Sequence, residues 1–391
     1  MRLPLLSSRA SRFTESVIRG MSVEARRHKA INLAQGMPDF PAPDPIKQAA
    51  CNAILADHNQ YATTWGVQSL REALAEHVLA FRHITIDPDR EITVTCGSTE
   101  AMLVALLALI NPGDEVILSQ PYYENYWPDC VLAGAAPRFV PLRRPGWRYD
   151  PDELADAFNN RTKAIILCNP NNPTGTVLDR PTLEHIARLC RKWDVIAITD
   201  EIYEHIIYDQ NQHIMLAALE GMRDRSITIS GMSKTFSVTG WRVGTMIASP
   251  EITRALRQVH DFVTIGAAAP LQEAGAVAYR LPPDYFQNLA REYQARRDLL
   301  CDGLEQIGFA LERPQGAYYV LADFSALVGE PVDDTAFAHR LVREIGVAVV
   351  PGSSFYRDPT RGRKLVRFAF CKQTRTLETA VDRLRNLAAL A

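Results

Sequence analysis

No two cysteines stand in a C-x-x-C spacing in this sequence. The seven present, at 51, 96, 130, 168, 190, 301 and 371, are scattered and odd in number. This excludes a disulfide framework and a cysteine zinc site, and reads as reduced thiols in a cytoplasmic protein with no metal. Long apolar runs are missing as well. The longest, Ala101 to Ile110, has ten residues, where a membrane span needs about 20. Nor is there an excess of one charge. The 43 basic and 45 acidic residues leave a net −2, so neither nucleic acid nor an anionic membrane is attracted to the chain as a whole. Repeats and low-complexity segments are absent too.

What remains is a 391-residue chain, 47% hydrophobic and 23% charged, which is the profile of a globular protein large enough for two domains. The first fourteen residues hold Arg2, Arg9, Arg12 and three serines, with no acid before Glu15. They faintly resemble a transit peptide. Their apolar stretch, Leu3 to Leu6, is too short for a secretory signal, and an ordinary N-terminal arm is the reading adopted.

From Glu91 onward strands and helices alternate. Strands are expected at 91–95, 114–119, 138–142, 163–168, 195–199, 226–229 and 243–248, and helices at 45–57, 69–81, 100–110, 151–158 and 180–192. The strands are near-continuously apolar, which predicts an α/β fold with a mostly parallel sheet covered by helices on both faces. Beyond Pro283 a long charged helix to about Ile307 and short strands (318–321, 347–350, 365–370) predict an α+β unit that ends in a helix over 377–390. The expected layout is a large domain over 45–285 and a small one from 1–44 and 286–391.

The stretch from Ser230 to Arg242 draws the most attention. A buried strand breaks at Gly231, and a small polar loop then presents Lys234. A lysine just beyond a buried strand is a costly placement unless its amine has a task. Desolvated and near other cations, it becomes nucleophilic enough to form an imine. Ser233 and Arg242 beside it suit a phosphate. Lysine imine plus phosphate suggests pyridoxal 5′-phosphate; the plain alternative is an exposed loop.

In an open parallel sheet ligands sit beyond the carboxyl ends of strands, and unusual loops fall there. Gly97-Ser98-Thr99 opens a helix, as an anion site or as a simple N-cap. Asn169 to Gly175 contains two Asn-Pro steps that aim amides into the loop. Asp200-Glu201-Ile202-Tyr203 offers a carboxylate for a protonated ring nitrogen, or an ordinary salt-bridged acid. Arg367 is a charge within an apolar strand and needs a carboxylate, from the protein or from a substrate. The Pro121-Tyr122-Tyr123 turn supplies an aromatic face, or core packing. The glycine turn at Gly36 lets backbone approach a ligand.

In order, N-P-x-N-P-T-G, D-E-x-Y, S-K-T-x-x-x-x-G-W-R and a late R-F strongly resemble the class I/II, fold-type-I pyridoxal-phosphate aminotransferases, over about Ile31 to Phe370. The I-N-L-A-Q-G-M-P-D-F stretch resembles the subgroup acting on kynurenine, methionine, glutamine and aromatic amino acids. The resemblance implies a seven-stranded, mostly parallel sheet sandwiched by helices, with a smaller α+β domain. It implies that Lys234 holds the cofactor as an imine and then moves the Cα proton. Asp200 then keeps the pyridine nitrogen protonated, Tyr203 and Asn172 bond the ring oxygen, and Tyr123 stacks on the ring. Gly97, Ser98, Thr99, Ser233 and Arg242 cradle the phosphate, joined by Tyr61 of a second subunit, which implies a homodimer. Arg367 binds the substrate α-carboxylate, with Asn172 nearby and Gly36 closing over it. One departure is Gly231, where many relatives carry a serine, and this makes the phosphate role of Ser233 less secure than that of Arg242. No second arginine for a dicarboxylate side chain is identifiable by motif, which favours neutral, sulfur-containing or aromatic substrates.

The expected activity is therefore transfer of an L-amino acid's nitrogen to a 2-oxo acid by a ping-pong mechanism. A cysteine-conjugate β-lyase on the same scaffold is the alternative, because both reactions begin at Cα. A noncatalytic pyridoxal-phosphate-sensing regulator is a third reading. Such regulators carry a DNA-binding module ahead of this unit, and the 30 residues before Ile31 are too few for one.

Overall fold

The computed structural model describes residues 7–328 and 332–389. Arg2 and the Leu3–Leu6 stretch, and Leu390, where the last helix was expected to end, lie outside the described residues.

Eight strands form the main sheet: β1 (Ile92–Thr95), β2 (Glu115–Gln120), β3 (Ala136–Arg143), β4 (Arg148–Tyr149), β5 (Thr162–Cys168), β6 (Ile196–Asp200), β7 (Ser226–Gly231) and β8 (Gly244–Ala248). Their spatial order is β1-β8-β7-β6-β5-β2-β3-β4. The pairs β7/β6, β6/β5, β5/β2 and β2/β3 run parallel, while β8 is antiparallel to both of its neighbours. The seven expected strands are all present, and the short β4 adds an edge. Two residues are too few to leave a periodic signal in sequence.

Alternation along the strands feeds two cores. Val116 and Leu118, Ala164 and Ile166, and Ile198 pack on one face with the Ser98–Leu109 helix. Ile117, Ile165, Leu167 and Ala197 pack on the other with the Arg180–Trp193 helix. Both faces are thereby dry, which is why the strands read as unbroken apolar runs.

A second, antiparallel sheet has the order β9-β10-β12-β11, from Ala310–Leu311, Tyr319–Asp323, Leu365–Ala369 and Val350–Pro351 respectively. The single strand expected at 347–350 is divided. Val347–Ala348 pairs in parallel with Ile31–Asn32, and Val350 and Pro351 pair with β12. One apolar run serves two partners, a division that hydrophobicity alone does not reveal. The Pro283–Ile307 helix packs against the Thr374–Leu384 helix over this sheet. A helix at Val17–Arg27, unforeseen in the sequence, joins the same core through Met21 and Ala25. Gly20 and four nearby arginines (19, 26, 27 and 12) mask its apolar stripe.

Candidate active site

Six strands of the main sheet point their carboxyl ends the same way, and five of those ends deliver a loop to one cavity. β1 leads to Ser98 and Thr99, β2 to Tyr123, β5 to Asn172, β6 to Asp200 and Tyr203, and β7 to Ser233 and Lys234. Arg242 and Tyr319 complete the wall.

The anion end is built from backbone. Gly97 has φ +82, and a Cβ on it would lie 2.1 Å from Arg242 Nη2. Glycine therefore lets the guanidinium settle over the N-terminus of the Ser98–Leu109 helix, where free N–H groups point outward. Glu100 reaches back to accept from the Cys96 N–H, and its other oxygen takes His260 Nδ1 and Thr264 Oγ1, both at 2.6 Å. Arg242 bonds only the Thr239 carbonyl (3.0 Å) among the described residues, with no carboxylate partner. A guanidinium, helix N–H groups and the hydroxyls of Ser98, Thr99 and Ser233 are together the donor set of a phosphate site.

Lys234 sits in the one-turn helix Met232–Thr235 that follows β7. Burial pushes its ammonium down to about 8, and the cations of Arg242 and Arg367 press the same way. Its Nζ donates to Gly36 O at 3.4 Å and lies over the Tyr318 ring. Such an amine gives up its proton readily near neutral pH.

Across the cavity Asp200 is 7% exposed. Burial raises its pKa, against the pull of the Tyr126 hydroxyl that donates to Oδ2 at 2.8 Å. A carboxylate held this way welcomes a cationic N–H. Tyr203 Oη is 3.3 Å from Tyr319 Oη. Beneath this loop, Glu201 takes His213 Nε2 at 2.6 Å, and Glu204 takes Ser230 Oγ and Arg82 Nη2, each at 2.8 Å. These bonds tie the loops carrying Tyr203 and Lys234 together.

Arg367 is fully buried on β12. Nη1 donates to Asn172 Oδ1 at 2.8 Å and Nη2 to Ala34 O at 2.7 Å, while Nε has no partner. Its guanidinium lies 4.1 Å from the Tyr319 ring centroid and 4.9 Å from that of Phe355. A guanidinium has five N–H donors, so three remain free, and no carboxylate of the described residues meets them. An uncompensated buried cation is costly, and an incoming carboxylate removes that cost.

The amides of the Asn-Pro loop divide their work. Asn171 Oδ1 binds Thr174, and Asn169 Oδ1 caps the Leu178 N–H, so both knit the loop; Asn172 alone is delivered to Arg367. Gly36 is close by, its carbonyl accepting from Tyr318 at 3.0 Å. Tyr61 is absent from the cavity wall: it is 87% exposed and borders a surface recess with Thr264–Pro270. Tyr126, Cys168, Ile202 and Tyr319 line the cavity without having been expected there. Tyr126 follows Tyr123 by three residues, one helical turn, a signal that could have been used. Nothing in sequence separates Tyr319 from a core strand residue.

A buried lysine lowered to about 8, a donor set fit for a phosphate and a buried carboxylate, gathered at strand ends of this sheet, are the features expected of a fold-type-I pyridoxal-phosphate enzyme. Residues 28–384 match the family model "Aminotransferase class I and II", and the chain belongs to that family. It is similar to a probable N-succinyldiaminopimelate aminotransferase of Mycobacterium tuberculosis (38% identical, covering 97% of this chain and 98% of that protein). It is also similar to a methionine aminotransferase of Escherichia coli (36%, covering 98% and 99%). The solved N-succinyldiaminopimelate aminotransferase of Mycobacterium tuberculosis superposes with a TM-score of 0.95 at 38% identity, covering 98% of this chain and all of that one. The protein is a pyridoxal-phosphate-dependent aminotransferase.

Proposed function

We propose that this aminotransferase takes its nitrogen from a neutral, sulfur-containing or aromatic L-amino acid and passes it to a 2-oxo acid. The observation that carries the reading is Arg367, a buried cation with three free donors and no acidic partner among the described residues, which lies directly behind Asn172 and Tyr319 in the wall of the cavity that holds Lys234. In this reading Arg367 grips the α-carboxylate as a fork and orients Cα toward Lys234. Bound in the cavity, pyridoxal phosphate supplies the electron sink that acidifies the Cα–H bond. Lys234 Nζ takes the proton from Cα and redelivers it. Asp200 holds a proton on the ring nitrogen, Tyr203 and Asn172 donate to the ring oxygen, and Tyr123 covers the ring and excludes water. Ser98, Thr99, Ser233, Arg242 and the N–H groups after Gly97 bind the phosphate.

The preference for uncharged side chains is supported by the cavity wall, where Arg242 is the only arginine among the described residues; Arg367, behind that wall, is committed to the α-carboxylate in this reading. Relatives include a methionine aminotransferase and a kynurenine–oxoglutarate transaminase of Homo sapiens. A homodimer is part of the proposal. Tyr61 (87% exposed) and Ile265 (47%) border one surface recess, and Phe262 (94%), three residues before Ile265, is exposed as well; apolar exposure of this kind marks interfaces, and Tyr61 of the partner would complete the phosphate cradle.

The test is the visible spectrum of the cofactor-loaded protein before and after single L-amino acids. Methionine, leucine and phenylalanine are expected to bleach the band and aspartate is not. Bleaching by aspartate and glutamate alone would overturn the substrate class. Absence of any band after pyridoxal phosphate is supplied would overturn the role of Lys234.

A further inference from the structure

Tyr319 touches both halves of the chemistry. It opens β10, is 3% exposed, and pairs with Ala369 two residues beyond Arg367. Its ring carries the Arg367 guanidinium at 4.1 Å, and its hydroxyl lies 3.3 Å from that of Tyr203. Space for this hydroxyl exists because residue 36 is glycine: a Cβ there would fall 1.9 Å from Tyr319 Oη. The neighbouring Tyr318 directs its own hydrogen to Gly36 O at 3.0 Å. Among the tyrosines around the cavity, Tyr319 is therefore the one placed to serve Tyr203.

We propose that Tyr319 is a positioning residue that donates to the Tyr203 oxygen, so that two phenols in series set the proton affinity of the lysine-bound cofactor. The inference rests on the reading of Lys234 and Tyr203 given above. A phenol has one hydrogen and two lone pairs. In this structure the Tyr203 hydroxyl donates to Tyr319 Oη; once Tyr203 gives that hydrogen to the anionic ring oxygen instead, its lone pairs are free to accept from Tyr319. Accepting polarises its O–H and strengthens its own donation. Arg367 enhances the effect: burial pushes the Tyr319 phenol up to about 12, and the guanidinium on its ring works in the acidifying direction.

The sign follows from electrostatics. A negative ring oxygen retains a proton on the adjoining lysine nitrogen, and donors that spread this charge release the proton at lower pH. Removing a donor therefore raises the pH midpoint of the visible band. Taking the second phenol as 10–30% of one charge-assisted hydrogen bond, the rise for Tyr319→Phe is roughly 0.1–0.7 pH unit.

The experiment is a spectrophotometric pH titration of the cofactor-loaded parent, Tyr319→Phe, Tyr203→Phe and the double variant. Tyr319→Phe keeps the ring under Arg367 and is expected to bind cofactor with a raised midpoint. Tyr203→Phe is expected to raise it further, and the double variant to match Tyr203→Phe. An unmoved midpoint in Tyr319→Phe would overturn the proposal. So would a full extra shift in the double variant, because the hydroxyl would then act without Tyr203, and so would loss of the band in Tyr319→Phe alone. No titrating band in the parent would instead count against the role given to Lys234.

Discussion

In the proposed reading, Arg367 binds substrate through the donors it leaves unsatisfied. Two of its hydrogen bonds fix its plane between two aromatic rings, and three donors are left for a ligand. Lysine would keep the charge but lose the planar fork and leave Asn172 Oδ1 and Ala34 O short of a donor. Arg367→Lys is therefore expected to raise KM for methionine, leucine and phenylalanine together, by roughly 10–100-fold for one or two charge-assisted bonds. Steady-state kinetics over the three donors check this. A penalty confined to one side chain would mean that Arg367 reads the side chain instead.

At the scale of elements, the Ser98–Leu109 helix must hold its N-terminus still, and Glu100 is the anchor. Its carboxylate joins the Cys96 N–H to His260 and Thr264 at the end of the Pro250–Val263 helix. Burial is the largest single influence and opposes charge on both partners, yet hydrogen bonds and charge pairing together outweigh it, lowering Glu100 from 4.5 (His260, Thr264 and the Cys96 N–H) and raising His260 from 6.5 (Glu100 and the Thr64 carbonyl). Glu100's contribution to stability is present above 4.5 and lost as pH falls through its lowered value. That of His260 is present below 6.5 and lost as pH rises through its raised value. Both are whole between 4.5 and 6.5. Glu100→Gln is expected to cost about 1–3 kcal/mol there, a drop of a few degrees in Tm. The gap from the parent should narrow on either side of this window, as scanning calorimetry across pH would show.

At the scale of the whole molecule, the proposed dimer makes each site depend on two chains. Lys234→Ala is expected to lose at least roughly 10²–10⁴-fold in turnover, the worth of a positioned base. Tyr61→Ala is expected to weaken the phosphate cradle of the other chain. In a mixed dimer of these two variants, the site that keeps Lys234 receives an intact Tyr61 from the partner. Co-refolding the two is expected to restore cofactor affinity at one site in two, measured by pyridoxal-phosphate titration. No gain over the separate variants would refute a shared site.

Residue pattern alone settled seven of the eight main-sheet strands, because burying both faces leaves continuous apolar runs that few other arrangements require; the short Arg148–Tyr149 strand and the Tyr126–Ala133, Pro250–Val263 and Ala269–Tyr279 helices were not legible in it. It also marked the loops at the strand ends, since lysine, aspartate and arginine beside apolar strands are too costly to be incidental. Which charges remain unpaired was decided only by tertiary structure. Arg367 could have met a protein carboxylate; instead it meets Asn172, 195 residues away in the chain, and the Ala34 carbonyl. Likewise Tyr126 and Tyr319 read as packing residues until folding sets them against Asp200 and Tyr203. Periodicity records how much of a residue is buried, whereas a hydroxyl's partner depends on the register between distant strands and loops, which no local pattern encodes.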